Sequence, residues 1–240
     1  MQSRRSAAFS RPYGGRAGTM RLMLDFLSAN HWLAGRIAAG ALVFLILAGT
    51  DLRRHGRRAS RWREYLFLIF VTCVAMLYGA VNDQVTSRIS WEYFYYGKEL
   101  SKDLGLTLPP DGLAMSWAAA KVGMGATWSA GLLIGAVLLI ANNPRARRRR
   151  LSYTTLATAL PWLLLVVIPC SVVGGLLGYA GALTWTSADF GEMVTMDYFR
   201  PFRFMAAWGA HLGAYAGGLI GLVVVTLRVL SLRRVSTRET

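Results

Sequence analysis

Asn82-Asp83-Gln84-Val85-Thr86-Ser87-Arg88-Ile89-Ser90-Trp91-Glu92-Tyr93-Phe94-Tyr95-Tyr96-Gly97 is a dense polar and aromatic insertion between two long apolar runs, about 65–81 before it and about 114–141 after it. Both runs are long enough to cross hydrocarbon, so the insertion marks where the chain leaves the bilayer and turns back. Further apolar runs at about 32–50, 154–183 and 204–230 repeat the pattern between short charged connections. The prediction is an all-α polytopic transmembrane helix bundle of about five spans, with a short interfacial helix in the outer loop.

Composition excludes an ordinary soluble domain. The 240 residues are 54% hydrophobic and 16% charged, with a mean hydropathy of +0.38. A net charge of +15 in a soluble protein would point to nucleic acid. Here the arginines cluster in short connections beside apolar runs, which is how topology determinants look, so no nucleic-acid partner is expected and the partner is the lipid bilayer. Cys73 and Cys170 each lie in the middle of an apolar run, which argues against a disulfide and against a thiolate metal site.

The arginines also orient the chain. Arg53, Arg54, Arg57, Arg58, Arg61 and Arg63 fill the first connection, Arg145 and Arg147 to Arg150 the third, and Arg228, Arg233, Arg234 and Arg238 the C-terminal end. Acidic residues gather in the other two: Asp83, Glu92, Glu99, Asp103 and Asp111 in one, Asp189, Glu192 and Asp197 in the other. The alternation predicts an outside N-terminus and an inside C-terminus. Residues 1–30 read as a disordered basic tail, 31–231 as the transmembrane domain and 232–240 as a short basic cytoplasmic tail. The N-terminal tail, with Arg4, Arg5, Arg11 and Arg16, conflicts with that orientation. A start at Met20 or Met23 removes the conflict, as does a first segment that dips in and returns, leaving four true spans.

Two spans carry ridges of small residues at four-residue spacing, Gly123, Thr127, Gly131 and Gly135 in the third and Gly209, Gly213, Gly217 and Gly221 in the fifth. The two helices are expected to pack ridge to ridge, or to offer these faces to a second copy or another membrane protein. Roughly opposite the ridges lie Trp117, Lys121 and Trp128 in the third span and Trp208, His211 and Tyr215 in the fifth.

In this topology Arg36, Asp83, Lys121 and His211 fall in the outer part of the membrane, with Glu92 above them. An ionisable group inside the bilayer costs a few kcal/mol unless paired or hydrated, so such groups tend to face the bundle interior. The blander reading has Arg36 and Lys121 reaching to headgroups, Asp83 ending a helix and His211 bonded to a neighbouring helix. No His-x-x-x-His or similar ligand pair occurs, so neither metal nor cofactor is expected, and no catalytic set is recognised.

Periodicity leaves the insertion itself open. Val85, Ile89, Tyr93 and Tyr96 share a helical face, whereas Val85, Ile89, Trp91, Tyr93 and Tyr95 share one side of a strand. The favoured reading is a turn to about Ile89, then a short helix capped by Ser90 with Glu92 at its positive end, its aromatics at headgroup level. Asn82, Gln84 and Tyr93 join the candidate polar group.

Asn82-Asp83-Gln84-Val85-Thr86, Ile89-Ser90 and Glu92-Tyr93-Phe94, followed by Trp208-x-x-His211 and Tyr215-x-x-Gly218, resemble an uncharacterised family of bacterial multi-spanning integral membrane proteins. There a proline commonly stands in the place of Trp91, which suits the first position of a helix. The resemblance implies a location, a bacterial cytoplasmic membrane, and an architecture, and brings no established activity.

Three functional classes are carried forward. The favoured one is a small-solute, ion or lipid pathway with a polar site in the outer half of the membrane. The second is an accessory or structural subunit that docks a partner through its glycine ridges and the aromatic segment. The third is a membrane enzyme using Asp83, Glu92 and His211, against which stand the missing nucleophile motif, phosphate loop and ligand spacing.

Overall fold

The computed structural model describes residues 31–56, 59, 61–104, 108–143, 150–183, 190, 191, 193 and 195–235. The expected tail at 1–30 lies outside them. The chain divides into two compact units, Met1–Ile46 and Leu47–Thr240. Among the described residues the regular structure is helical: α1 (His31–His55), α2 (Arg61–Ile89), α3 (Ser101–Leu104), α4 (Gly112–Ala141), α5 (Tyr153–Ala157), α6 (Leu160–Tyr179) and α7 (Pro201–Val235), with a π-helical turn at Tyr93–Gly97. This is an all-α polytopic bundle. Among the described residues, four stretches are long and apolar enough to cross a membrane, Arg61–Ile89, Gly112–Ala141, Tyr153–Tyr179 and Pro201–Arg234. Their outward faces carry exposed Leu77, Ile140, Leu165 and Leu219, an apolar surface suited to a lipid environment.

The fourth apolar run is broken at Thr158–Ala159, just before Pro161. A proline at that position has no N–H for the carbonyl four residues earlier, and its ring crowds that turn, so the run divides into α5 and α6. Ser152 starts α5 by accepting the Thr155 N–H at 3.1 Å. In the second unit, Asp51 accepts the N–H groups of Arg61 at 2.8 Å and Trp62 at 3.2 Å, satisfying donors that open α2.

The glycine ridges lie inside the second unit but do not meet each other. A Cβ on Gly123 would collide with the Gly79 backbone of α2, and one on Gly131 would fall 2.7 Å from the Ala75 Cβ. One on Gly135 would fall 2.9 Å from Leu68 Cδ2. On α7, Gly209 is pressed against the Gly174 backbone and Gly213 against the Cys170 carbonyl. Added carbons on Gly217 and Gly221 would meet Cys170 and Leu163. The expected packing of third span on fifth is therefore corrected: α4 packs on α2 and α7 on α6, each on its neighbour in the chain. Gly79 on α2 and Gly174 and Gly178 on α6 supply matching gaps, and close backbone approach needs small residues on both sides. Covered in this way, the ridges are closed to a second copy or another protein.

Two hydrophobic clusters hold the unit. Tyr93, Phe94, Leu100, Met115, Phe199 and Phe204 form an aromatic one, and Phe67, Val71, Leu138, Leu156, Val225 and Val229 an aliphatic one toward the arginine-rich connections. Buried Asn142 bonds Leu151 in both directions, at 3.0 and 2.9 Å, and buried Arg233 donates to the carbonyls of Ala141 and Asn143. These bonds tie the end of α7 to the end of α4. The helix runs on to Val235, so part of the segment read as a tail is helical.

Candidate functional site

The polar stretch begins inside a helix. Asn82–Ile89 was expected to turn; it forms the last two turns of α2. Its side chains do not compete with the helix because they bond within it. The Thr86 hydroxyl donates to the Asn82 carbonyl at 3.0 Å, the Ser87 hydroxyl to that of Gln84 at 3.2 Å, and the Arg88 guanidinium to Gln84 Oε1 at 3.1 Å. One face of these turns is buried, with Asp83, Thr86 and Ser87 on it.

Ser90 then breaks and restarts the helix, as its type predicts. Its Oγ accepts the Tyr93 N–H at 3.1 Å and donates to Glu92 Oε2 at 2.8 Å. The new turn is wide, with the Lys98 N–H reaching the Tyr93 carbonyl at 3.0 Å, and it closes at Glu99 in the left-handed region, φ 57°. Three of its aromatics turn inward. Tyr93, Phe94 and Tyr95 are buried, Phe94 completely. The reason is the partner: Tyr93 packs edge-on against Phe204 of α7, 5.3 Å between centroids, and Phe204 meets Phe190 and Phe199. Burial, with Tyr215 and Asp83 nearby, raises the Tyr93 phenol well above the usual tyrosine range. Burial and the 2.7 Å hydrogen bond with Tyr198 do the same for Tyr96.

This turn brings the predicted residues together. The Tyr93 ring stacks on His211 at 5.1 Å and 28°, and Phe94 meets the same imidazole at 6.0 Å. From α2, Thr86 Oγ1 lies 3.3 Å and Asp83 Oδ1 3.8 Å from His211 Nε2. Because the Thr86 proton goes to the Asn82 carbonyl, the oxygen is left to accept from His211, which makes Nε2 the protonated nitrogen. His211 thus bonds to another helix, as expected. Asp83 receives Asn82 Nδ2 at 3.3 Å. Asp83 and His211 are 3% and 5% exposed, about 15 Å along α7 from Pro201 in the case of the histidine.

Below the pair a cleft of about 350 Å³ runs between α2, α4, α6 and α7. Tyr78, Asn82, Asp83, His211 and Tyr215 line one end, and Val71, Ala130, Leu133, Leu163 and Leu219 are among its apolar walls. Leu133, Tyr215 and Leu219 are more than half exposed, so the cleft opens to the outer surface of the bundle. The Tyr78 hydroxyl is buried without a hydrogen-bond partner.

The other candidates fall elsewhere. Gln84 reaches sideways to the Ser116 carbonyl of α4 at 2.5 Å, and Glu92 is held by Ser90 rather than by His211. Trp208 packs on the aromatic cluster. Lys121 is half-buried on α4, and Arg36 is exposed on α1 in the first unit. Sequence reasoning passed over Tyr78, Thr86 and Lys98. The first two follow from spacing, since Tyr78, Asn82 and Thr86 recur every four residues on one face of α2. Lys98 had no such signal: its ammonium lies 5.5 Å from the Tyr93 ring centre, and its charge acts on both Asp83 and His211. Among the described residues no group of three His, Cys, Asp or Glu side chains is placed to hold a metal ion. Chemically, the arrangement offers a carboxylate and a phenol at the polar end of an apolar cleft, backed by a histidine held in one tautomer. Comparison with protein-family models, curated proteins and solved structures finds no match.

Proposed function

We propose that this chain is a multi-pass protein of a bacterial cytoplasmic membrane that binds a small lipid-like molecule in the outer half of the bilayer and forms part of its pathway. The observation that carries this reading is the cleft, apolar along most of its wall and polar at the end formed by Tyr78, Asn82, Asp83 and His211. Ligand clefts of this kind are mostly apolar with a few convergent polar groups. Of the three cargo classes, a lipid matches a cleft that opens sideways among exposed leucines, whereas an ion would leave its hydration shell for a wall that is apolar along most of its length, with Asp83 at one end. The arginine-rich connections support an inside C-terminus. The accessory-subunit reading loses the glycine ridges as its docking face, because they are covered within the chain.

The test is leaflet exchange of NBD-labelled single-chain lipids in proteoliposomes, followed by dithionite quenching. Wild-type protein is expected to accelerate exchange over protein-free vesicles, and Ala130→Trp, which fills the cleft, to abolish the acceleration while remaining monodisperse. Equal exchange by the two proteins would reject the pathway.

A further inference from the structure

The chemistry of the polar end selects among lipid-like molecules, an argument that rests on the cleft being the ligand site. A carboxylate accepts at about four lone-pair positions. Asp83, 3% exposed, receives one long hydrogen bond from Asn82 at 3.3 Å, while the His211 N–H, 3.8 Å away, is engaged by Thr86. A buried carboxylate with so few donors is costly unless a cation or further donors reach it. Lys98 supplies distant compensation only, since it stands over the Tyr93 ring and does not line the cleft.

The remaining polar atoms at this end also want a donor. Asn82 turns its amide nitrogen to Asp83, which leaves Oδ1 to accept. The Tyr78 hydroxyl, buried and unpartnered, can accept as well as donate. Asp83, Asn82 and Tyr78 thus bring acceptors to the same end of the cleft, and the formal charge among them is negative. An anionic headgroup would be repelled there, and a plain alcohol would bring a single donor. A primary ammonium brings three donors and the opposite charge. The volume, about 350 Å³, stands near the lower end of ligand clefts, which fits one chain rather than two.

We propose that the cleft takes a single-chain amphiphile with a protonated amine head, the ammonium on Asp83, Asn82 and Tyr78 and the chain along Ala130, Leu133, Leu163 and Leu219.

The experiment uses the full chain in nanodiscs with three photo-crosslinking probes that share one diazirine-bearing alkyl chain and end in an amine, a carboxylate or an alcohol. Crosslinks are mapped by peptide mass spectrometry. The amine is expected to label α2, α4 and α7 around the cleft, and Asp83→Asn to reduce that labelling about tenfold, the loss that follows from removing one charged hydrogen bond. Tyr78→Phe keeps the carboxylate, provides a second variant if Asp83→Asn fails to fold, and is expected to reduce amine labelling several-fold. Equal labelling by carboxylate or alcohol, or amine labelling unchanged in both variants, overturns the amine head. Loss of all three labels in Ala130→Trp would then still place the ligand in the cleft. If no probe labels the cleft, or if Ala130→Trp changes nothing, the cleft reading itself fails along with the amine.

Discussion

At the scale of single residues, the polar atoms around His211 are held by a short chain of bonds. Thr86 gives its proton to the Asn82 carbonyl and takes the one on His211, so a single hydroxyl fixes the imidazole's tautomer. Thr86→Val preserves shape and removes the acceptor, leaving a buried N–H without its partner. The expected cost is about 1–3 kcal/mol, seen as a lowered thermal midpoint in detergent. Thr72→Val on the same helix is the control, since the Thr72 hydroxyl bonds only back to the Leu68 carbonyl, and its effect should be much smaller. Equal shifts in the two variants would show that Thr86 supports the helix and not the histidine. The identities of Asp83, His211 and Tyr93 as candidates were legible from residue type and depth. Their partners were not, because the contacts join residues 86 and 211 or 93 and 204, and no local pattern encodes which distant face arrives.

At the scale of elements, helix starts and stops followed local chemistry and helix partners did not. Ser90 as a cap depends on hydrogen bonds within a few residues and was readable in the chain; a proline alone does not locate a break, since Pro161 divides its run while Pro169 lies inside α6. Polarity in 82–89 predicts a turn because backbone competition by Ser, Thr, Asn and Asp is the usual outcome; here the Thr86 and Ser87 hydroxyls bond carbonyls within the helix. The ridges announced close packing without saying against what. Gly123→Ala places a methyl group in the Gly79 backbone, and the two helices must separate to admit it. We expect destabilisation of at least about 2 kcal/mol and loss of the monodisperse peak on size exclusion. Gly218→Ala on α7 has nothing within 4 Å of the added carbon and should be neutral or stabilising, by up to about 1 kcal/mol. A reversed order would mean that α2 and α4 do not meet along this ridge.

At the scale of the whole molecule, charge distribution and architecture make separate claims. The arginine-rich connections predict that Asn143 faces the cytoplasm and Asp197 the outside. In a Cys73→Ser, Cys170→Ser background, a membrane-impermeant maleimide on intact cells should label Asp197→Cys and leave Asn143→Cys unlabelled until the cells are opened. The opposite pattern would invert the chain. That an all-helical membrane bundle forms was determined by the sequence by itself, because spanning length, apolar composition and helix-breaking residues act locally and hydrocarbon leaves the backbone few alternatives. Only the tertiary structure decided that the glycine ridges serve neighbours in the chain, that the aromatic turn folds inward onto α7, and that Asp83, Thr86 and His211 share one end of a cleft. Those outcomes depend on shape matching between surfaces far apart in sequence, and periodicity reports the face a helix buries without naming the face that covers it.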